Sequence, residues 1–457
     1  MKDLTKGNIF KTFFLFGLPL VLSGVLTQAY SLIDSAIAGQ FLGEVGLAAT
    51  SATTPLDTFI SSAFWGFCVG FSVYIARLFA AKEYRKLKSA FYTCLLLVMA
   101  LGFIVGGAMI LLYEPLADLL KIDDGIHKNS FVYFSIINGG RGIIVIGVLL
   151  TFTLNAMGVS GYTFWMSLLS GVLNVAGNIL SIILLDMGVA GIALSTLLSS
   201  LIVNSFYLLK IHACFKQLDN DGKRVCLKFS YIKNSIPYAL PNMAQQTVMY
   251  FVGLLISPLV NGMGIAATAS YSVVTHIYNL IANVYQNSSR TVSNYAAQCI
   301  GSKQYAKIKK GVGAGLLQGL AFATPFILVC VFFREAVCGI FLKADASALV
   351  KEYSHAFAKI YLPFIYFNIV NNLFHALYRG VKAMGHLFFM TLLGSLARLL
   401  CSIFLIPKMG MNGFYLGWVI SWIVEAIITT CLYFIGKWLP KAEEVSQEQT
   451  TPQEKVA

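Results

Sequence analysis

One unit of this chain occurs twice. Residues 47–50 read LAAT and residues 265–268 read IAAT; residues 82–88 read KEYRKLK and residues 303–309 read KQYAKIK; Leu18-Pro19 is matched by Leu240-Pro241. The separations are 218, 221 and 222 residues, close to half of the 457-residue chain, as a duplication followed by small insertions and deletions would leave. The repeated unit is very hydrophobic. Two such halves rocking about a shared cavity are the construction of secondary transporters.

Charged residues make up 12 % of the chain, about half the roughly 25 % of a soluble domain, and mean hydropathy is +0.74. Apolar stretches of membrane-crossing length, about 20 residues, follow one another along the chain. Helices are the expected spanning element, because lipid offers backbone groups no partner. We expect an all-α polytopic membrane protein with spans at 12–37, 50–76, 89–112, 131–156, 162–185, 189–212, 232–257, 267–290, 311–333, 356–379, 385–406 and 412–437. They divide into two six-helix bundles, 1–212 and 232–437, with a cytoplasmic linker at 213–231 and a polar, disordered tail at 438–457. Six spans per repeat leave the halves in the same orientation, related by a pseudo-two-fold axis along the membrane normal.

The net charge of +13 would raise nucleic-acid binding in a soluble protein. Here the cations follow the loops. With the N-terminus cytoplasmic, 24 of the 33 Lys and Arg fall on the cytoplasmic side, with Arg290 and Arg379 counted at the ends of spans 8 and 10. Eight fall outside, and Arg398 lies within span 11. That asymmetry places both termini in the cytoplasm and makes lipid, not nucleic acid, the macroscopic partner. The nine Cys form no CxxC pair and the six His no ligand spacing, so no metal, disulfide framework or cofactor is expected. The first apolar stretch is too long for a cleavable leader.

Polar residues inside the spans fall in stripes. Span 1 carries Thr27, Tyr30, Ser31 and Asp34; span 5 carries Asn174 and Asn178; span 6 carries Thr196. Such faces should meet each other or water. Asp34 has no basic residue in its own span, so it is a group that can take up a proton or recruit a cation. In the second half, Asn242 and Gln245, then Asn279 and Asn283, then Asn368, Asn372 and His375 suggest an amide-rich cavity wall, which Tyr30 would face from the first half. Glu425 in span 12 and Arg398 in span 11 are expected to form a structural ion pair between adjacent helices.

The stretches LPLVLSGVLTQAYSLIDSAIAGQFLGEVGLAAT, AAQCIGSKQYAKIKKGV and LYRGVKAMG resemble the multidrug and toxic compound extrusion (MATE) family, and the resemblance covers nearly the whole chain. It implies two helical bundles in a V and cation-driven efflux. The family's span-1 Asp falls on Asp34, its span-5 Asn on Asn174 and its span-6 Thr on Thr196. Several prokaryotic members have Asp where this chain has Asn178. The acids of the NorM-type C-terminal bundle fall on Gln245 and Asn368, so the pattern is closer to the DinF-type branch.

The expected function is therefore antiport in the cytoplasmic membrane of a bacterium or archaeon. A monomer would export amphipathic organic compounds against H⁺ on Asp34, or against Na⁺ held by Asp34, Asn174, Asn178 and Thr196. One carboxylate among amides favours H⁺. A flippase for a lipid-linked precursor is the main rival; it calls for a strongly basic cavity, and mid-span Arg398 alone argues against it. A membrane transferase would need an acid and His cluster in a loop. Residues 113–130 hold Glu114, Asp118, Asp123, Asp124 and His127, but Lys121 and Lys128 among them make a solvated surface the simpler reading.

Overall fold

The computed structural model describes residues 3–120, 122–218, 227, 229–341, 348–435 and 438. Twelve spans run through them. Span 1 is Ile9–Gly43, span 2 Val45–Ala80 and span 3 Tyr84–Leu111. Span 4 is a bent pair, Asp124–Gly139 with Arg141–Ala156; span 5 is Ser160–Leu184, span 6 Gly188–Leu218 and span 7 Ser230–Val260. Span 8 is Ile265–Gly301 and span 9 Ala306–Phe332. Span 10 is broken between Ala348–Ile360 and Ile365–Gly380. Span 11 is Met384–Met409 and span 12 Met411–Ile435. Spans 8 and 10 are the two that fall outside the apolar set: span 8 is rich in amides and hydroxyls, and span 10 is divided into helices of 13 and 16 residues.

Most helices run past the expected ends. Span 8 continues eleven residues beyond 290, through the amide-rich turns that follow it. Residues 213–218, expected as linker, continue span 6. Residues 219–226 and 228 of the linker, and 439–457 of the tail, lie outside the described residues.

The duplication is written in the backbone. Gly43 and Gly264, 221 residues apart, both have positive φ between the first two helices of each half. Gly188 and Gly410, 222 apart, do the same between the last two. Lys82 and Lys303, 221 apart, have φ of 60° and 59°, a conformation that costs an L side chain about 1–2 kcal/mol. Each ends a helix in the same way: Glu83 N–H donates to Leu78 O at 3.0 Å, and Gln304 N–H to Cys299 O at 2.8 Å. Gly158 and Lys382 head a third such pair, with Val159 N–H on Leu154 O and Ala383 N–H on Tyr378 O.

The halves meet through two symmetry-related crossings, span 2 on span 7 and span 1 on span 8. In the first, small residues are required. A Cβ on Gly70 would sit 2.2 Å from Tyr238 O and 2.7 Å from Ala239 Cα. At the end that carries the N-terminus the halves are clasped. Leu4 N–H donates to Gln298 Oε1 at 2.8 Å, Gln298 Nε2 donates to Ala156 O at 3.0 Å, and Arg77 hydrogen-bonds the Tyr238 hydroxyl. Above the clasp lies a cavity of about 1150 Å³. It reaches from Arg290 and Arg379 at its floor to Thr50, Ser51 and Ser257 beside the opposite turns.

Gly70→Val is expected to lower the thermal stability of the full-length protein in detergent, by on the order of 1–3 kcal/mol for overpacking. Gly107→Ala, where an added Cβ meets nothing within 4 Å, is the control and should be neutral or stabilising. An unchanged melting temperature in Gly70→Val would show that this crossing does not hold the halves together.

Candidate coupling site and substrate cavity

The N-terminal stripes converge. Asp34 lines the cavity wall, and spans 5 and 6 close on it from behind. Asn178 Nδ2 donates to Asp34 Oδ1 at 2.8 Å. The Asn174 amide lies between Asp34 and Thr196, and one orientation satisfies both neighbours: its nitrogen donates to the Asp34 carboxylate at 2.6 and 3.0 Å and its oxygen accepts from Thr196 Oγ1 at 3.1 Å. Two amides thus hold the one carboxylate, with Thr196 behind the second of them.

Tyr30 does not reach the cavity. It packs on Gly171 of span 5, and its hydroxyl donates to Leu168 O at 3.3 Å. The expected amide wall of the second half also divides. Asn279, Asn372, Gln245 and His375 line the cavity. Asn242 is buried in the span 2–7 crossing, donating to Tyr238 O at 2.8 Å. Asn283 turns toward the other half and donates to Gln28 Oε1 at 3.3 Å. Asn368 is fixed under the tyrosines, donating to Tyr285 OH at 2.8 Å and Tyr278 OH at 3.3 Å.

The expected Arg398–Glu425 pair does not form. The register of the antiparallel spans 11 and 12 explains why. Arg398 lies opposite Ser421 (Nε to Oγ 3.5 Å), and Gly394, one turn away, lies opposite Glu425, where an added Cβ would meet the carboxylate at 2.8 Å. The Glu425 side chain instead reaches span 10, with Oε1 2.9 Å from His375 Nε2 and Oε2 accepting from Asn371 Nδ2 at 3.3 Å. His375 Nδ1 in turn lies 3.3 Å from Gln245 Nε2, which also donates to Thr391 Oγ1 at 3.0 Å. Arg398 lies over the Trp418 ring, 4.3 Å from its centroid.

Sequence reasoning did not bring Arg141 to Asp57 or Arg290 to the cavity. Asp57 and Arg141 pair across spans 2 and 4, with Arg141 Nε also donating to Asn138 Oδ1 at 2.8 Å. Arg290 and Arg379, both counted with the cytoplasmic cations, line the cavity floor, Arg379 on the polar face of span 10 that also carries Asn372 and His375. The signal for Arg290 was weak: the apolar window ends at 290 because Asn287, Ser288 and Ser289 lower it, not because the helix stops there. Removing both from the count leaves 22 cations against 8, so the orientation argument stands.

A model of the MatE family matches residues 19–180 and 241–404, one match in each half. The chain belongs to the MatE family. It is a multi-spanning membrane transporter, not an enzyme. Among curated relatives, the probable multidrug resistance protein YoeA of Bacillus subtilis is 24 % identical over 357 residues, covering 74 % of each chain. The probable multidrug resistance protein YpnP of the same organism is 23 % identical over 448 residues, covering 95 % of this chain and 97 % of its own. Among solved structures, a MOP superfamily transporter from Pyrococcus furiosus, described by the reverse polarity of its binding pocket, superposes with a TM-score of 0.87 at 17 % identity over 98 % of both chains. A multidrug resistance MATE family transporter in its outward-facing conformation gives the same score and identity over 99 % of both. These establish the fold of two six-helix bundles.

A double-mutant cycle checks the redrawn charge network. Glu425→Gln with His375→Asn should show coupling in thermal stability of about 0.5–3 kcal/mol, whereas Glu425→Gln with Arg398→Gln should be additive within about 0.5 kcal/mol. The reverse pattern would restore the pairing expected from sequence.

Proposed function

We propose that this protein is a proton-coupled antiporter that exports amphipathic organic compounds by alternating access, with Asp34, Asn174, Asn178 and Thr196 as the coupling site. The observation that carries the reading is Asp34 itself, a carboxylate on the cavity wall that no cation pairs among the described residues and that the Asn174 and Asn178 amides hold from span 5. Protonation would weaken the acceptor those amides bind, and this would give a one-proton event a mechanical consequence between span 1 and spans 5 and 6. A sodium ion would require the Asn174 and Asn178 amides to turn their oxygens inward together, and of these oxygens Asn178 Oδ1 is buried without a hydrogen-bond partner. The names of the relatives, multidrug resistance proteins, support organic compounds as cargo.

The cation asymmetry supports cytoplasmic termini in a prokaryotic cytoplasmic membrane. In that orientation the clasp at Gln298 and Tyr238 closes the cytoplasmic side and the cavity opens outward. A proton reaching Asp34 from outside would accompany release of cargo. Reopening the clasp would return the cavity to the cytoplasm. We read the working unit as a monomer, because each half supplies one wall of the same cavity.

Asp34→Asn is expected to abolish gradient-driven export with little effect on protein level, since the amide is nearly isosteric but cannot change charge. The measurement is dye efflux in inverted vesicles under an imposed pH gradient and, separately, an imposed Na⁺ gradient. Wild-type export by the variant would refute the coupling assignment, and export driven by Na⁺ alone would transfer the site to sodium.

A further inference from the structure

The cavity floor carries two cations without an anion. Arg379 is 8 % exposed. Arg290 stacks its guanidinium over Trp65 and Phe152, 4.9 and 4.6 Å from the ring centroids. Both line the main cavity, and both also border a small void beneath it. The Nε of each is buried with no hydrogen-bond acceptor, and the hydroxyl of Ser293 beside them is likewise unpartnered. Among the described residues no carboxylate pairs with either arginine. Further toward the open end Arg398 adds a third cation to the lining.

The acids do not balance them. Asp34 lines the opposite wall and is held by amides of its own half. Glu425, the nearest acid behind the second wall, is taken up by His375 and Asn371. Of the other titratable groups on the lining, His276 and His375 supply no negative charge, and the phenols, such as Tyr250 and Tyr278, are neutral at physiological pH. A buried guanidinium costs several kcal/mol unless something compensates it. A cation–π contact returns only about 0.5–2 kcal/mol. What remains unsatisfied is a set of donors with planar, forked geometry, which suits a carboxylate, sulfonate or phosphate.

We propose that Arg290 and Arg379 form an anion-binding floor, and that the cargo is an amphipathic organic anion. Its charged group lies between the two guanidinium groups and its apolar body lies against Trp65 and Tyr250. This assignment rests on the transporter reading above and specifies its substrate class. It also removes the argument from sequence against a lipid-linked anionic cargo, since the cavity holds three arginines where one was expected. The shared chemistry is an anionic group on a hydrophobic body, from either a soluble compound or a lipid headgroup.

The test uses the full-length protein in phosphatidylcholine nanodiscs and two xanthene dyes of similar shape, anionic fluorescein and cationic rhodamine 6G. Fluorescein is expected to bind at least about tenfold more tightly. Arg290→Gln and Arg379→Gln should each weaken fluorescein by about tenfold or more and leave rhodamine unchanged, and Arg379→Lys, which keeps the charge but not the fork, should lose less than Arg379→Gln. Equal or tighter binding of rhodamine by the wild type would overturn the proposal, and this comparison stands even if the Gln variants fail to fold. Equal losses for both dyes in folded variants would also overturn it. In energised proteoliposomes, transport of rhodamine in preference to fluorescein would refute the anion floor and leave the transporter reading intact. Movement of neither dye would count against the transporter reading itself. Adding phosphatidylglycerol to the nanodiscs distinguishes the sources: displacement of fluorescein assigns the floor to a lipid headgroup, and undiminished binding assigns it to a soluble anion.

Discussion

A polar side chain within the hydrocarbon layer must find another helix or a wet cavity, because lipid supplies neither donor nor acceptor. That constraint organises this molecule. Asn242, Asn283, Asn371 and Gln298 each spend an amide on a helix they do not belong to, and by doing so fix the crossings between spans. Asp57 and Arg141 neutralise each other across two helices. The acids and arginines left facing the cavity are few: Asp34 on one wall, and Arg290, Arg379 and Arg398 on the floor and the other wall.

The halves share a fold but not a charge. Turns 221 to 224 residues apart repeat their φ angles, down to lysines in the left-handed region. Yet the one carboxylate on the cavity lining belongs to the first half and the unpaired arginines to the second. A duplicated scaffold leaves each copy free to diverge, and here one copy presents an acid to the cavity and the other presents arginines and histidines. On the proposed mechanism, proton and cargo would bind opposite walls of one cavity, and rocking about the span 1–8 and span 2–7 crossings would move the two together.

The fold was largely legible in the sequence, because length and hydropathy report spans and the repeat reports symmetry. The convergence of Asp34, Asn174, Asn178 and Thr196 was legible too, since residues spaced by three or four share a helix face. What sequence could not supply was register between helices. Arg398 and Glu425 looked like partners because spans 11 and 12 are neighbours, but a one-turn offset put Gly394 opposite the acid and sent Glu425 to His375. Arg290 was hidden for another reason. A helix that lines a wet cavity can carry cations and amides well inside its span, so a hydropathy window stops short of its true end.

The central claim is that protonation of Asp34 moves the halves. Met187 and Met409 lie in symmetry-related turns at the open end, 37 % and 48 % exposed, one in each half. Spin labels at these positions would report the separation of the halves by pulsed electron–electron double resonance in nanodiscs. The account predicts distance distributions that differ between acidic and alkaline medium in the otherwise wild-type protein and are the same in both media when Asp34 is replaced by Asn. A distribution indifferent to pH with Asp34 intact, or a pH response that persists without its carboxylate, would contradict it.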